Sequence, residues 1–270
     1  MQRTVLVNFP HRLLLCLVLL APFMGLATHT VLSDTRTAIH DGFEHETLSA
    51  IWSDQRIEAH AFEVQSQIVR SGQHAAKITL RSGDKANPGN DLDLPNERDE
   101  LQEVKTLHAQ EEDTFEYRFS VYLPDDFPLV PTRLVLAQWK QNCPRGTACN
   151  TFSPVIALRY QNGKMFLTLQ TDANRTTLWQ TTKDLRAQWL DFRFTIRFSR
   201  FDHGIVQVYL NDKAIVQYQG KTSYIDKHYD TNTYYFKIGL YRDQMPEPMV
   251  IYIDDYSKVT VDEAPLKRQH

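Results

Sequence analysis

Short segments in which apolar and polar residues alternate, rich in Val, Ile, Phe, Tyr and Thr, recur along most of this chain, and little of it has helical period over a useful length. They run over Ala61–Val69, Ala75–Arg81, Arg98–Lys105, Thr114–Tyr122, Arg133–Lys140, Val155–Tyr160, Lys164–Thr171, Leu190–Phe198, Ile205–Leu210, Lys213–Tyr218, Tyr234–Tyr241 and Met249–Val259. Turn signals separate them at Ser71-Gly72, Asn162-Gly163, His203-Gly204 and Asn211-Asp212, the last joining a hairpin. About a dozen half-buried strands without helices can bury their apolar faces only against each other. The expectation is an all-β chain of two packed antiparallel sheets, a sandwich or jelly roll. The polar segment Thr222–Asn232 is read as a functional loop over one face, or as a plain connection.

A length of 270 residues suits one large core or two small ones, and no low-complexity linker divides it. Arg3, His11 and Arg12 precede an apolar run from Leu13 to Leu26, which ends at the small residues Gly25 and Ala27. That run is short for a membrane span, so residues 1–27 read as an export signal and residues 28–270 as one domain. A retained anchor is the alternative reading of the same run. The expected location is secreted or periplasmic. With Cys16 removed, Cys143 and Cys149 bracket a short loop and are expected to pair as a disulfide, free thiols being the alternative. A net charge of −3 argues against a nucleic-acid partner but leaves room for a basic groove holding an acidic polymer. No membrane contact is expected after signal cleavage, and the mature chain is taken to act as a monomer.

Three strands carry unusual polar faces. In Arg98-Asp99-Glu100-Leu101-Gln102, period two puts Arg98, Glu100 and Gln102 on one side, where an arginine can grip a carboxylate and a glutamate can orient it. In Leu134-Val135-Leu136-Ala137-Gln138-Trp139-Lys140, Gln138 and Lys140 share a face as a neutral and a charged donor. In Tyr235-Phe236-Lys237-Ile238-Gly239-Leu240-Tyr241, Tyr235, Lys237, Gly239 and Tyr241 lie opposite Phe236, Ile238 and Leu240. Gly239 is expected either where a polymer approaches the backbone or at a bulge. Each set, taken singly, also fits an ordinary solvated strand face.

Together the three segments resemble the motif set of the β-jelly-roll polysaccharide lyases, the group of alginate lyases, glucuronan lyases and the heparin lyase I family. Glu97-Arg98-Asp99-Glu100-Leu101 matches the first motif, Gln138-Trp139-Lys140 stands for Gln-x-His, and Tyr235 to Tyr241 matches Tyr-Phe-Lys-x-Gly-x-Tyr throughout. The flanks Ser71 to Lys77, Tyr122 to Phe127 and Val250 to Tyr256 fit in order, so the likeness covers about Asp41 to Val261. Lys140 departs from the usual histidine and Gln102 from a frequent second arginine.

The resemblance implies a concanavalin-like β-jelly-roll sandwich with a concave substrate groove. It also implies a lyase that removes the C5 proton of a uronate and expels the 4-linked sugar. Arg98, Gln138 and Lys140 are then expected to neutralise the sugar carboxylate, and Tyr241 to transfer the proton, with Lys237 or Lys140 favouring its phenolate. Lys237, Tyr235, Glu100 and Gln102 are expected to line the substrate site, Glu100 chiefly orienting Arg98. His74, His108 and His228 are candidates for the missing histidine. No cofactor or catalytic metal is expected; the one metal role left open is a structural calcium near Asp254-Asp255. Two rival classes stand beside the lyase. One is a jelly-roll glycoside hydrolase using a Glu-x-Asp-x-x-Glu strand, of which Glu97-x-Asp99 is the start. The other is a non-catalytic carbohydrate-binding module.

Overall fold

The computed structural model describes residues 38–85, 95–142, 153–225 and 233–261. The expected export signal, the Cys143/Cys149 pair, His228 and most of the Thr222–Asn232 loop lie outside the described residues.

The strands are β1 (Ala38–Asp41), β2 (Trp52–Ser53), β3 (Phe62–Gln65), β4 (Ala75–Leu80), β5 (Asn96–Glu103), β6 (Ala109–Gln110), β7 (Thr114–Tyr122) and β8 (Leu134–Gln141). They continue as β9 (Ile156–Gln161), β10 (Lys164–Gln170), β11 (Arg175–Thr181), β12 (Trp189–Arg197), β13 (Gly204–Leu210), β14 (Lys213–Gly220), β15 (Thr233–Asp243) and β16 (Met249–Thr260). One antiparallel sheet has the order β14-β13-β12-β7-β16-β4-β3, with β1 also on β16. The other has the order β11-β10-β9-β8-β15-β5-β2, with β6 also on β15. This is the expected β-sandwich.

Alternation decides which side chains meet between the sheets. Phe236, Ile238 and Leu240 of β15 turn inward with Trp139 of β8, against Phe119 of β7 and Phe194 of β12. Trp139 lies 4.6 Å from Phe194 and 4.9 Å from Phe236, ring centre to ring centre. Each such fully buried ring contributes on the order of 2 kcal/mol by leaving water. Both central residues of the Asn211-Asp212 turn have positive φ, 47° and 61°, the backbone twist that suits a two-residue hairpin.

The strand between Arg175 and Thr181 escapes the sequence reading because it is an edge strand whose polar residues stay largely exposed, so alternation is faint. β5 runs from Asn96 to Glu103, two residues earlier at both ends than its alternation suggests. Its inward face is charged. Glu97 pairs with Arg242 at 2.7 Å, both fully buried, and Glu103 holds Lys258 at 3.1 Å and the Tyr256 hydroxyl. Lys258 and Tyr256 belong to β16, so Glu103 ties β5 to the opposite sheet.

Candidate active site

β5, β15 and β8 are neighbours in the second sheet, and their register decides what meets. Gln102, Lys237 and Gln138 stand in one line across the three strands. Arg98 lies opposite Tyr241, and Lys140 opposite Tyr235. Since direct partners point to the same face, the side chains singled out in the sequence share the outer face of this sheet, away from the aromatic core. Several are buried nonetheless: Glu100 is 1 % exposed, Gln138 2 %, Lys237 4 % and Arg98 9 %. These outward-facing polar groups are thus almost wholly covered, a floor beneath that face.

Glu100 is the hub of that floor. Its Oε1 accepts from Gln138 Nε2, and its Oε2 accepts from Lys237 Nζ at 3.2 Å with Arg98 Nε 3.4 Å away. Burial by itself raises the Glu100 pKa; the charges of Lys237 and Arg98 and the Gln138 hydrogen bond outweigh it, and the net shift is downward. Lys237 is pushed down to about 7, first by burial, with Glu100 opposing and Arg98, Lys140 and Arg56 adding to the fall. Arg98 and Lys237 thus share one carboxylate. Glu100 and Lys237 are almost wholly buried and pair with each other, and Glu100 also lies against Arg98, the residue it was expected to orient.

Tyr241 sits half-buried on the same face, four residues along β15 from Lys237. The guanidinium carbons of Arg98 and Arg133 lie 4.3 Å and 4.7 Å from its ring centre. The cations against this phenol are therefore arginines, where Lys237 and Lys140 were expected. Lys140 pairs with Tyr235, six residues from Tyr241 and roughly 20 Å along the strand, too far for its ammonium to serve the phenol. The ring of Tyr235 stacks on His108 at 5.3 Å. Burial first, then Lys258, with a backbone hydrogen bond at Glu103 opposing and Lys105 adding to the fall, lower the His108 pKa to about 4, so its ring is neutral near pH 7. His74 pairs with Glu44 at 3.3 Å, beside β4 of the other sheet.

Gly239 belongs to a bulge in the β15 ladder. The register shifts between Ile238 and Tyr241, its φ is 146°, and a Cβ there would lie 2.7 Å from Glu100 Cα and still closer to the Asp99 carbonyl oxygen. The hydrolase motif also fails on geometry, since Glu97 and Asp99 occupy the inward positions of β5. Glu97 is bound by Arg242, and the Asp99 Oδ1 accepts from Glu58 N at 2.7 Å. At the proposed calcium position, Asp254 accepts backbone amides of Arg70, Ser71 and Asp255, and Asp255 accepts from Ser71 Oγ. Among the described residues, the group of three close metal-capable side chains is elsewhere, at His60, Asp84 and Asp99.

Sequence reasoning missed Arg133 and Arg159. Arg133 precedes β8 and pairs with Asp243 at 2.6 Å, and nothing in a strand pattern marks a flanking arginine. Arg159 of β9 had a visible signal, a charge inside the apolar run Val155–Leu158 and Tyr160.

A family model described as polysaccharide lyase matches residues 43–257. No curated protein matches the chain. Among solved structures, an endo-β-1,4-glucuronan lyase from the fungus Trichoderma reesei is similar with a TM-score of 0.65 at 15 % identity, covering 84 % of this chain and 96 % of that one. The alginate lyase AlgAT5 of polysaccharide lyase family 7 gives a TM-score of 0.52 at 15 % identity, over 76 % and 85 % of the two chains. A cellulose-induced protein, Cip1, gives 0.53 at 12 % identity, over 82 % and 96 %. At these identities the likeness is one of fold.

Proposed function

The chain belongs to the polysaccharide lyase family, and from that premise we propose that it cleaves a uronic-acid-containing polysaccharide by β-elimination over β5, β15 and β8, leaving unsaturated oligosaccharides. What supports this reading is that Arg98, Gln138 and Tyr241 share the outer face of one sheet, with Arg98 against the Tyr241 ring and both Arg98 and Gln138 against Glu100.

The C5 proton of a uronate is poorly acidic while its carboxylate is charged. Arg98 and the second hydrogen of Gln138 Nε2 donate to that carboxylate and stabilise the enolate-like transition state. Glu100 fixes the orientation of both donors, and Lys237 balances Glu100 so that the floor does not repel the substrate. The Tyr241 phenolate, formed beside Arg98 and Arg133, takes the C5 proton. The C4–O bond then breaks, the electron pair left at C5 becomes the C4–C5 double bond, and the same phenol returns its proton to the leaving oxygen. Lys140, Tyr235 and Gln102 line the far end of that face and hold the polymer. The chain works as an exported enzyme; no helix among the described residues is long and apolar enough to cross a membrane.

Acidic polysaccharides tested one by one for rising ultraviolet absorbance decide the matter. A lyase gives absorbance from the new conjugated double bond with every cut. Reducing ends released without absorbance would mean hydrolysis, and binding without any cut would mean a carbohydrate-binding module.

A further inference from the structure

Arg159 lies in the same cross-strand row as the proposed catalytic pair. Arg98 opposes Tyr241, Tyr241 opposes Val135, Val135 opposes Arg159, and Arg159 opposes Phe166. Two strand spacings put the Arg159 backbone roughly 10 Å from that of Tyr241. Val135 between them is buried but stands apart from the aromatic core, as its place on the outer face requires.

The side chain of Arg159 is only 3 % exposed, and its Nε donates to Thr168 Oγ1 at 3.0 Å. Among the described residues no carboxylate pairs with it. Its charged neighbours are Arg175 and Arg133, and the groups that favour its charge are the phenols of Tyr241 and Tyr224. Burial, then Arg175 and Arg133, bring its pKa down to about 9. Elsewhere the fold treats buried cations differently: Arg242 has Glu97, Lys258 has Glu103 and Lys237 has Glu100. A buried arginine on the outer sheet face, with no carboxylate partner among the described residues, is unfavourable in the free protein and becomes favourable when a ligand brings the anion.

We propose that Arg159 seats a second carboxylate, that of the uronate next to the one being cleaved, so that the substrate carries uronates in adjacent positions. The inference rests on the β-elimination reading of Arg98, Gln138 and Tyr241. It goes further by selecting contiguous polyuronates over polymers in which uronate alternates with hexosamine. In an alternating chain both neighbours of the cleaved uronate lack the acid, and Arg159 stays unpaired.

The experiment compares wild type with Arg159→Met and Arg159→Lys on polyglucuronate and polymannuronate, and on hyaluronan and heparosan, by ultraviolet absorbance. Thermal unfolding is followed alongside. The expected result is cleavage of contiguous polyuronates, a fall in kcat/KM of about 10- to 100-fold in Arg159→Met with partial recovery in Arg159→Lys, and no fall in Tm. Any cleavage of the alternating polymers should be the same in both variants as in wild type. Full activity of Arg159→Met on contiguous polymers overturns the inference. So does a fall in Tm with equal losses on every substrate, which would make Arg159 structural. Cleavage of alternating polymers only would overturn it while leaving the β-elimination reading intact; absence of unsaturated product from every polymer would remove that reading too.

Discussion

The guanidinium of Arg98 lies 4.3 Å from the ring centre of Tyr241, and the two residues are direct register partners on β5 and β15. One ladder position thus joins the group proposed to hold the carboxylate to the group proposed to transfer the proton. Their relative placement depends on backbone pairing and not on a flexible loop, which suits a site needing sub-ångström order.

Replacing Tyr241 by Phe removes the hydroxyl and keeps the ring between Arg98 and Arg133. We expect kcat to fall by about 10²- to 10⁴-fold, with unchanged circular dichroism and Tm. Near-normal formation of unsaturated product by this variant would reassign the proton transfer to another residue.

Glu100→Ala leaves Lys237 buried without its carboxylate, at a cost of about 3–5 kcal/mol in unfolding free energy. Glu100→Gln combined with Lys237→Met should recover part of that loss, since the lysine is no longer stranded and only Arg98 lacks its carboxylate. Activity should stay low in the pair because Arg98 and Gln138 lose their orienting partner. Denaturant titration of the singles and the double tests this; additive losses would count against a coupled pair.

Asp99 is buried beside Asp84, and its pKa is raised to about 8, first by burial and further by the Asp84 carboxyl. An acid whose folded pKa exceeds its unfolded value binds more protons when folded. Its stabilising contribution is complete below the ordinary aspartate value and is lost as pH rises through about 8. Asp99→Asn keeps an oxygen for Glu58 N and cannot ionise. The variant should match wild type below about pH 4 and exceed it by a few kcal/mol at pH 9. Parallel stability curves across that range would show that Asp99 ionises freely.

Gly239→Ala places a methyl against the Asp99 carbonyl and Glu100 Cα at a φ of 146°. Both neighbours are backbone of the strand that carries Arg98 and Glu100, so relief means moving the site. A loss of more than about 2 kcal/mol, with activity falling further than stability explains, is the expected outcome. An alanine variant with wild-type Tm and rate would show the bulge to be dispensable.

Much of the fold was legible because alternation reports directly which side of a strand meets the core. Phe236, Ile238 and Leu240 inward, with Tyr235, Lys237 and Tyr241 outward, needed no structure. The same period put Arg98, Glu100 and Gln102 on one face. It could not say that the opposite face of β5 is charged for a reason of its own, because Glu97 finds Arg242 and Glu103 finds Lys258 more than a hundred residues away in sequence.

What the chain determined by itself was the set of strands, their faces, and the residue types able to grip a carboxylate and move a proton. These are local properties, written in spacing of two residues. Which cation serves which partner was decided only in the folded sheet, where register and bulges fix lateral neighbours. There Arg98 and Arg133 replaced the lysines beside Tyr241, Lys237 sank onto Glu100, and Arg159 came into the same row with no carboxylate partner among the described residues. Electrostatic interaction depends on distance and burial through space, and neither is a function of sequence separation.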